Sequence, residues 1–328
     1  LKSENGQKIL HSLIKDADVF GQNFRPGVAK KLNFDYETLS KINPKIVYAS
    51  VSAYGPDAPD GHLPGTDAVG QALSGIAEAY SIPGNNLRTG VASVADESCA
   101  ILTFGGILAA YINAQKTGKG QKLETSLVGS AFRLLGWTMT TAMWSNRPPI
   151  TGARINGTRE RPGIAACFND INGKPFALQL DPDDWQEAMK ALNFFDILSE
   201  NGLIDLGLAF ESEIKKTEIL DKLAELFSTD TRDNWISVLR KADMISTHVN
   251  TMLEASNDPN IKENNYVTEV WYPELNKNMK VHGTPWKFSK TPANIKRAPK
   301  LGEHNTEILS GLGYTKDEIE GFKDDKII

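Results

Sequence analysis

Cysteine is scarce in this chain. Cys99 and Cys167 are the only two in 328 residues, with no second thiol or metal-ligand spacing beside either, which excludes a disulfide scaffold and fits a reduced cytoplasm. Histidine is sparse too. His11, His62, His248, His282 and His304 form no pair at i, i+4 and have no neighbouring Cys, so no metal site is expected. Positive charge is not in excess. The 36 Lys and Arg stand against 41 Asp and Glu, a net charge of -5, so no basic face for nucleic acid is expected and an anionic ligand must meet a local cluster of cations. No apolar run reads as long as a membrane span, and the 40% hydrophobic and 23% charged composition is that of a soluble globular protein. Repeats and low-complexity tracts are missing. The first residue is Leu and not Met, and the chain opens directly on a helical pattern without the regions of a signal peptide. It reads as lacking a preceding N-terminal segment.

What is present alternates helix with strand. A chain of this length exceeds what one core usually serves, so two lobes are expected. Ile9, Leu10, Leu13 and Ile14 share one face of a helix over 3–15, and Ala17 to Phe20 reads as a strand. A helix over 35–41 precedes the β-branched run Lys45 to Val51, which has the continuous apolarity of a buried parallel strand. Helices over 67–79 and 97–115, an irregular connection over 82–94 and a strand over 121–127 complete a doubly wound α/β lobe. Gly105 and Gly106 interrupt the second of these helices, which suggests another backbone packing closely there. A shift in composition over 144–163 reads as a linker. Beyond it, two apolar stretches flank Asn172-Gly173, a hairpin signal. Helices over 183–192, 211–227 and 232–242, strands over 267–272 and 278–282, and helices over 306–312 and 316–322 follow.

Few residues stand where chemistry is possible. Asp96 precedes the long helix, where a carboxylate accepts from unpaired backbone N–H groups. The same place keeps a carboxylate ionised and able to attack an activated acyl carbon. Asn23-Phe24-Arg25-Pro26-Gly27 follows a strand, and loops beyond strand carboxyl ends form the ligand crevice of α/β sheets. Arg25 could pair with a phosphate and Phe24 could pack on a flat ring, with Lys30 and Lys31 adding charge; the alternative is a Pro-Gly turn. Thr117-Gly118-Lys119-Gly120 leads from helix to strand, the reverse of a phosphate-cradling loop, and reads as a turn. Ser126 and Ser130 lack the Gly-x-Ser-x-Gly elbow of a serine hydrolase. His304 stands near a helix start, where capping or packing is favoured over acid–base work.

Taken in order, several stretches resemble the family III CoA-transferases. They are Leu1 to Gly6, Ala17-Asp18-Val19 with Asn23 to Gly27, Asn43-Pro44, Gly65-Thr66-Asp67 with Gln71 to Gly75, Asp96, Thr117 to Gln121, and Arg297-Ala298-Pro299 with Leu301 to His304. The resemblance implies an α/β fold with a Rossmann-like large lobe over 1–145, a linker over 146–163, a smaller α+β lobe over 164–284, and a return to the large lobe over 285–328. It further implies an interlocked homodimer. In function it implies an enzyme that moves coenzyme A from an acyl-CoA to a free carboxylic acid, with coenzyme A as substrate and no other cofactor. Asp96 becomes the expected nucleophile, forming a mixed anhydride and then an aspartyl-CoA thioester. Asn23, Phe24, Arg25 and Lys31 become candidate CoA contacts, and Thr66 and Asp67 lie near the substrate. The racemase branch of the family needs a histidine where Thr66 stands, and threonine cannot act as a base near neutral pH. Members acting on oxalate carry a tyrosine there, so Thr66 points away from that substrate too. A CoA-binding homologue without catalysis is the remaining alternative, against which the retained Asp96 speaks.

Overall fold

Ser3 accepts from the Gly6 N–H and starts α1 (Glu4–Ile14), an amphipathic helix followed by β1 (Val19–Gln22), two residues later than the strand expected from the sequence. After α2 (Val28–Lys31) comes α3 (Tyr36–Ile42), which Asp35 caps through the Thr38 N–H at 3.2 Å. Then comes β2 (Val47–Ser52). The computed structural model of the chain describes residues 1–80, 90, 92–147 and 154–328. It divides into two units, 1–152 together with 299–328, and 153–298.

The helix expected over 67–79 is two helices, α4 (Asp67–Ser74) and α5 (Ile76–Ala79), because Gly75 adopts a left-handed φ of 91° between them. Residues 82–89 and 91 of the connection expected over 82–94 lie outside the described residues, as does the middle of the linker expected over 146–163. The long helix α6 (Val94–Thr117) ends on left-handed Gly118 and leads into β3 (Gln121–Ser126). Strands β1, β2 and β3 are parallel and adjacent in that order, with Val19 opposite Val47 and Val47 opposite Gln121. One face of this sheet buries Tyr48 with Ile14, Phe34 and Leu39, and the other buries Val47 with Ala110 and Ala114 of α6.

Along α6, Cys99 Sγ lies 3.7 Å from Thr125 Oγ1 near the end of β3, Gly106 abuts Leu123, and Ala110 and Ala114 reach Val47 near the start of β2. The helix therefore runs opposite to the strands, and its N-terminus stands at their carboxyl edge. The close neighbour of Gly106 is the Leu123 side chain, 2.8 Å from where a Cβ would sit, and not a backbone; Gly105 faces open space. Two other expectations fail at this helix. It begins at Val94, with Ser93 as N-cap, so Asp96 lies inside its first turn. It is also long and apolar enough to cross a membrane, because no charged residue interrupts 98–115; glycine, serine and threonine had concealed that length. Only 28% of its most apolar window is buried, and Ile101, Phe104, Leu108 and Ile112 lie exposed on it.

The stretch after β3, unassigned from sequence, forms α7 (Leu127–Leu134) and α8 (Gly136–Ser145). Ser126 caps α7 by accepting from the Gly129 N–H at 3.0 Å. Its hydroxyl is thus a structural acceptor, and Ser126→Ala is expected to lower stability by about 1 kcal/mol. A fall in the denaturation midpoint at constant slope would show it.

In the second unit, β4 (Ile155–Gly157), β5 (Pro162–Asn169), β6 (Pro175–Leu180) and β7 (Ile245–His248) form an antiparallel sheet in that order. The hairpin read from Asn172-Gly173 is there, with Phe168 opposite Phe176 and Gly173 at a φ of 72°. Helices α9 (Trp185–Ala191), α10 (Phe195–Glu200), α11 (Glu213–Phe227) and α12 (Arg232–Lys241) fall between β6 and β7. Phe227 meets Phe176 edge-on at 5.0 Å and Trp235 at 5.6 Å, forming the aromatic centre of this core. The unit ends with α13 (Met252–Ala255), α14 (Pro259–Glu263) and the β8 (Val267–Tyr272) and β9 (Lys277–His282) hairpin. The closing helices α15 (Asn305–Gly311) and α16 (Lys316–Asp324) belong to the first unit. His304 is the N-cap residue of α15 without a side-chain capping bond.

Candidate active site

Asp96 is exposed at the start of α6, and among the described residues nothing donates a hydrogen bond to its carboxylate. The capping it was expected to do is done by another residue. Asp67 Oδ1 accepts from the Ala95 N–H at 2.8 Å and the Asp96 N–H at 3.2 Å. A carboxylate on α4, 28 residues away, thus satisfies two open donors of the first turn of α6. The two helices approach closely because Gly70 lacks a side chain: a Cβ there would lie 2.6 Å from Ala95 Cβ. Gln71, 1% exposed, donates to Asp67 Oδ2 and holds it in place. Thr66 is exposed at the N-cap position of α4, its hydroxyl not used in capping. Burial, and then the charges of Asp67 and Glu97, lift the Asp96 carboxyl above its ordinary value. The result is an accessible carboxylate of raised basicity, unpaired among the described residues, at the edge of a parallel sheet, where an α/β fold binds its ligands.

A second feature lies on the Tyr48 face of the same sheet. A cavity of about 270 Å³ is lined by Phe24, Arg25, Lys30, Tyr36, Tyr48 and Ser50, among others. The Gln22 side chain shapes its rim, donating to Ser50 Oγ and accepting from the Phe24 N–H, each at 2.7 Å. Phe24 packs on Phe34 with ring centres 5.5 Å apart and keeps 46% of its surface exposed. Burial pushes the Tyr48 phenol up to about 12, so it stays protonated. Lys122 also lines the cavity but is paired with Glu124 at 3.0 Å, whereas Arg25 and Lys30 have no ion pair among the described residues.

The profile of CoA-transferase family III matches residues 1–305. The chain belongs to family III of the CoA-transferases. Among curated members, it is 28% identical to the cinnamoyl-CoA:phenyllactate CoA-transferase of Clostridium sporogenes, across the whole chain and 79% of that protein. It is 25% identical to the formyl-CoA:oxalate CoA-transferase of Escherichia coli O157:H7, across the whole chain and 82% of that protein. Among solved structures, a CaiB/BaiF family protein from Brucella suis superposes with a TM-score of 0.80 over 95% of this chain and 79% of that one, at 22% identity. A Mycobacterium tuberculosis protein gives 0.76 over 93% and 80%, at 20% identity. These two likenesses establish the α/β fold, and the family match makes the chain a CoA-transferase.

Of the residues singled out in sequence, the fold brings Asp67 and Asp96 together at the start of α6, with Thr66 beside Asp67 as the N-cap residue of α4. Phe24 and Arg25 line the cavity, while Asn23 and Lys31 are exposed outside its lining and Lys30 enters it in place of Lys31. Sequence reasoning missed Gln22, Tyr36, Tyr48 and Gln71. Tyr48, Ser50 and Ser52 alternate along β2, and this period of two was a signal that one face of the strand is polar. It was hidden under the strand's overall apolarity. Gln71 had no local signal beyond its place four residues after Asp67.

Proposed function

We propose that the enzyme transfers coenzyme A from an acyl-CoA donor to a free carboxylic acid through covalent intermediates on Asp96. The observation that carries this reading is the Asp96 carboxylate, exposed, raised in basicity and unpaired among the described residues, with its helix capped by a different carboxylate. In the first step an Asp96 oxygen attacks the thioester carbonyl, the C–S bond breaks, and CoA leaves as thiolate with a mixed anhydride on Asp96. The thiolate then attacks the Asp96 carbonyl, releasing the donor acid and forming an aspartyl-CoA thioester. The acceptor carboxylate attacks that thioester and expels CoA thiolate, leaving a second mixed anhydride; the thiolate then attacks the acceptor's carbonyl in it, forming the new acyl-CoA and releasing the Asp96 carboxylate. Each step exchanges one activated acyl group for another, so no activation is lost as long as water is kept away. Asp67 favours the first step electrostatically, because acylation removes the negative charge beside it.

The cavity over β2 is the proposed seat of the nucleotide end of CoA. Tyr36 and Phe24 offer faces for a flat ring, and Arg25 and Lys30 offer charge to phosphates. Lys31, exposed on α2, adds a further cation, and Asn23, exposed on the preceding loop, adds a neutral hydrogen-bonding group. The exposed stripe Ile101, Phe104, Leu108 and Ile112 on α6 is the proposed contact for a second copy of the chain, consistent with the homodimer its family resemblance implies. Relatives named for phenyllactate and oxalate support a small carboxylic acid as the class of acceptor. Thr66 gives no support to proton exchange at the α carbon, since it supplies no second base.

The test is incubation with a panel of acyl-CoA donors and acids, hydroxylamine trapping, and mass spectrometry of the peptide holding Asp96. The expected result is a hydroxamate on Asp96 that forms only with a donor that is turned over. Transfer at full rate with no adduct on that peptide would refute the covalent route.

A further inference from the structure

We infer that Gln71 is a positioning residue for the reaction, tying α4 to the backbone that leads into α6 and fixing the Asp67 carboxylate that caps it. The inference rests on Asp96 being the nucleophile. Gln71 stands one helical turn beyond Asp67, so both side chains leave α4 on one face. It is buried, at 1% exposure, and both ends of its amide are engaged. Nε2 donates to Asp67 Oδ2 and to the Ala92 carbonyl at 3.3 Å, and Oε1 accepts from the Gly90 N–H at 2.7 Å. The assignment of the two amide ends is forced by chemistry. The Gly90 N–H can only donate, and the Asp67 carboxylate and Ala92 carbonyl can only accept.

No other common side chain of this size serves all three. Glutamate would still accept from Gly90 but would set a second carboxylate against Asp67 and leave both Asp67 Oδ2 and Ala92 without their donor. Methionine would keep the volume and lose all three bonds. Ala92 O also accepts from the Val94 N–H at 2.8 Å, so the amide reaches within two residues of the first residue of α6. With Gly70 beside it letting α4 touch Ala95, Gln71 determines where the first turn of α6, and so the Asp96 carboxylate, stands relative to Asp67. It touches neither substrate nor Asp96 itself, and acts through Asp67 and the backbone.

The test compares the wild-type enzyme with Gln71→Glu and Gln71→Met, using a donor and acceptor that the wild type turns over. Three quantities are read: kcat, KM for the acyl-CoA, and the single-turnover rate at which the Asp96 adduct forms, normalised to folded protein. Misplacement of a reacting group by a fraction of an ångström to an ångström lowers rates on the order of 10- to 100-fold. A fall of that size is expected in kcat and in adduct formation for both variants, with KM within about twofold of wild type because the binding cavity is untouched. Gln71→Glu keeps the size and the bond to Gly90, so it reports on positioning should Gln71→Met fold poorly. Wild-type adduct rates per folded enzyme in either folded variant would overturn the role, as would a loss of activity accounted for entirely by unfolded protein. An absent adduct in the wild-type enzyme would sink the nucleophile assignment and this role with it, so the two failures are told apart by the control.

Discussion

Asp96→Asn is expected to abolish CoA transfer, on the order of 10^4-fold or more, as removal of a covalent nucleophile does. CoA binding should persist, since the cavity lined by Phe24, Arg25 and Tyr48 does not include position 96. The fold should persist as well. Ser93 is the N-cap of α6 and Asp67 takes the Ala95 and Asp96 N–H groups, so the Asp96 side chain carries no hydrogen bond that holds the helix. The sign of the stability change follows from linkage. A carboxyl whose folded pKa is raised binds its proton more tightly in the native state, so ionising it costs stability. That cost sets in as pH rises from the unfolded value through the folded one and is complete above the folded one. A neutral Asn removes it. Thermal melts should therefore show Asp96→Asn at least as stable as wild type at pH 7, with the difference vanishing at acid pH. Asp96→Ala, which cannot revert by deamidation, should match it in activity. Transfer activity surviving in Asp96→Ala would remove Asp96 from the mechanism, and collapse of the fold would return it to a structural role.

The contrast between Asp96 and Asp67 shows what local reading could reach. An Asp just before an apolar helical pattern is the ordinary sign of a cap, and the pattern itself is legible from Ile101 to Tyr111. The true cap contacts come from α4, across 28 and 29 residues, and no window of sequence contains both partners. The same separation explains why Gln71 went unseen. It also explains the extra turn at the start of α6, since Asp67 supports N–H groups that an isolated helix would leave open. Elements whose determinants are local came through: helix α3, expected over 35–41, the apolar β2 run, and the Asn172-Gly173 hairpin. Strand β7 did not, because Ile245–His248 is a four-residue edge strand whose existence depends on pairing with β6. Helices α7 and α8 were missed over a tract whose glycines, Gly129 and Gly136, weaken the helical signal without preventing the helices.

Asp67→Leu should be the next most damaging change, because it removes geometry and charge together. Two N–H groups of the first turn of α6 lose their acceptor and the buried Gln71 amide loses one of its own. Unsatisfied groups of this kind cost about 1–3 kcal/mol each. A fall in kcat on the order of 100-fold is expected from the displaced helix start, with a lowered melting temperature. Asp67→Asn isolates the charge through the pH profile and not through the plateau rate: its carbonyl can still accept from Ala95 and Asp96 and the negative charge is gone, but its amide NH2 can no longer accept from Gln71. Asp96 must be ionised to attack, and its pKa is raised by burial first and by Asp67 and Glu97 after it. Removing the Asp67 charge lowers that pKa, so the acid limb of the rate profile should move to lower pH in Asp67→Asn. The move should be partial, because burial and Glu97 remain. On the plateau above that limb the rate should be lower than wild type, since a less basic carboxylate is a weaker nucleophile and acylation no longer relieves the repulsion. An acid limb that stays in place, or moves to higher pH, would show that Asp67 acts on Asp96 through helix geometry alone.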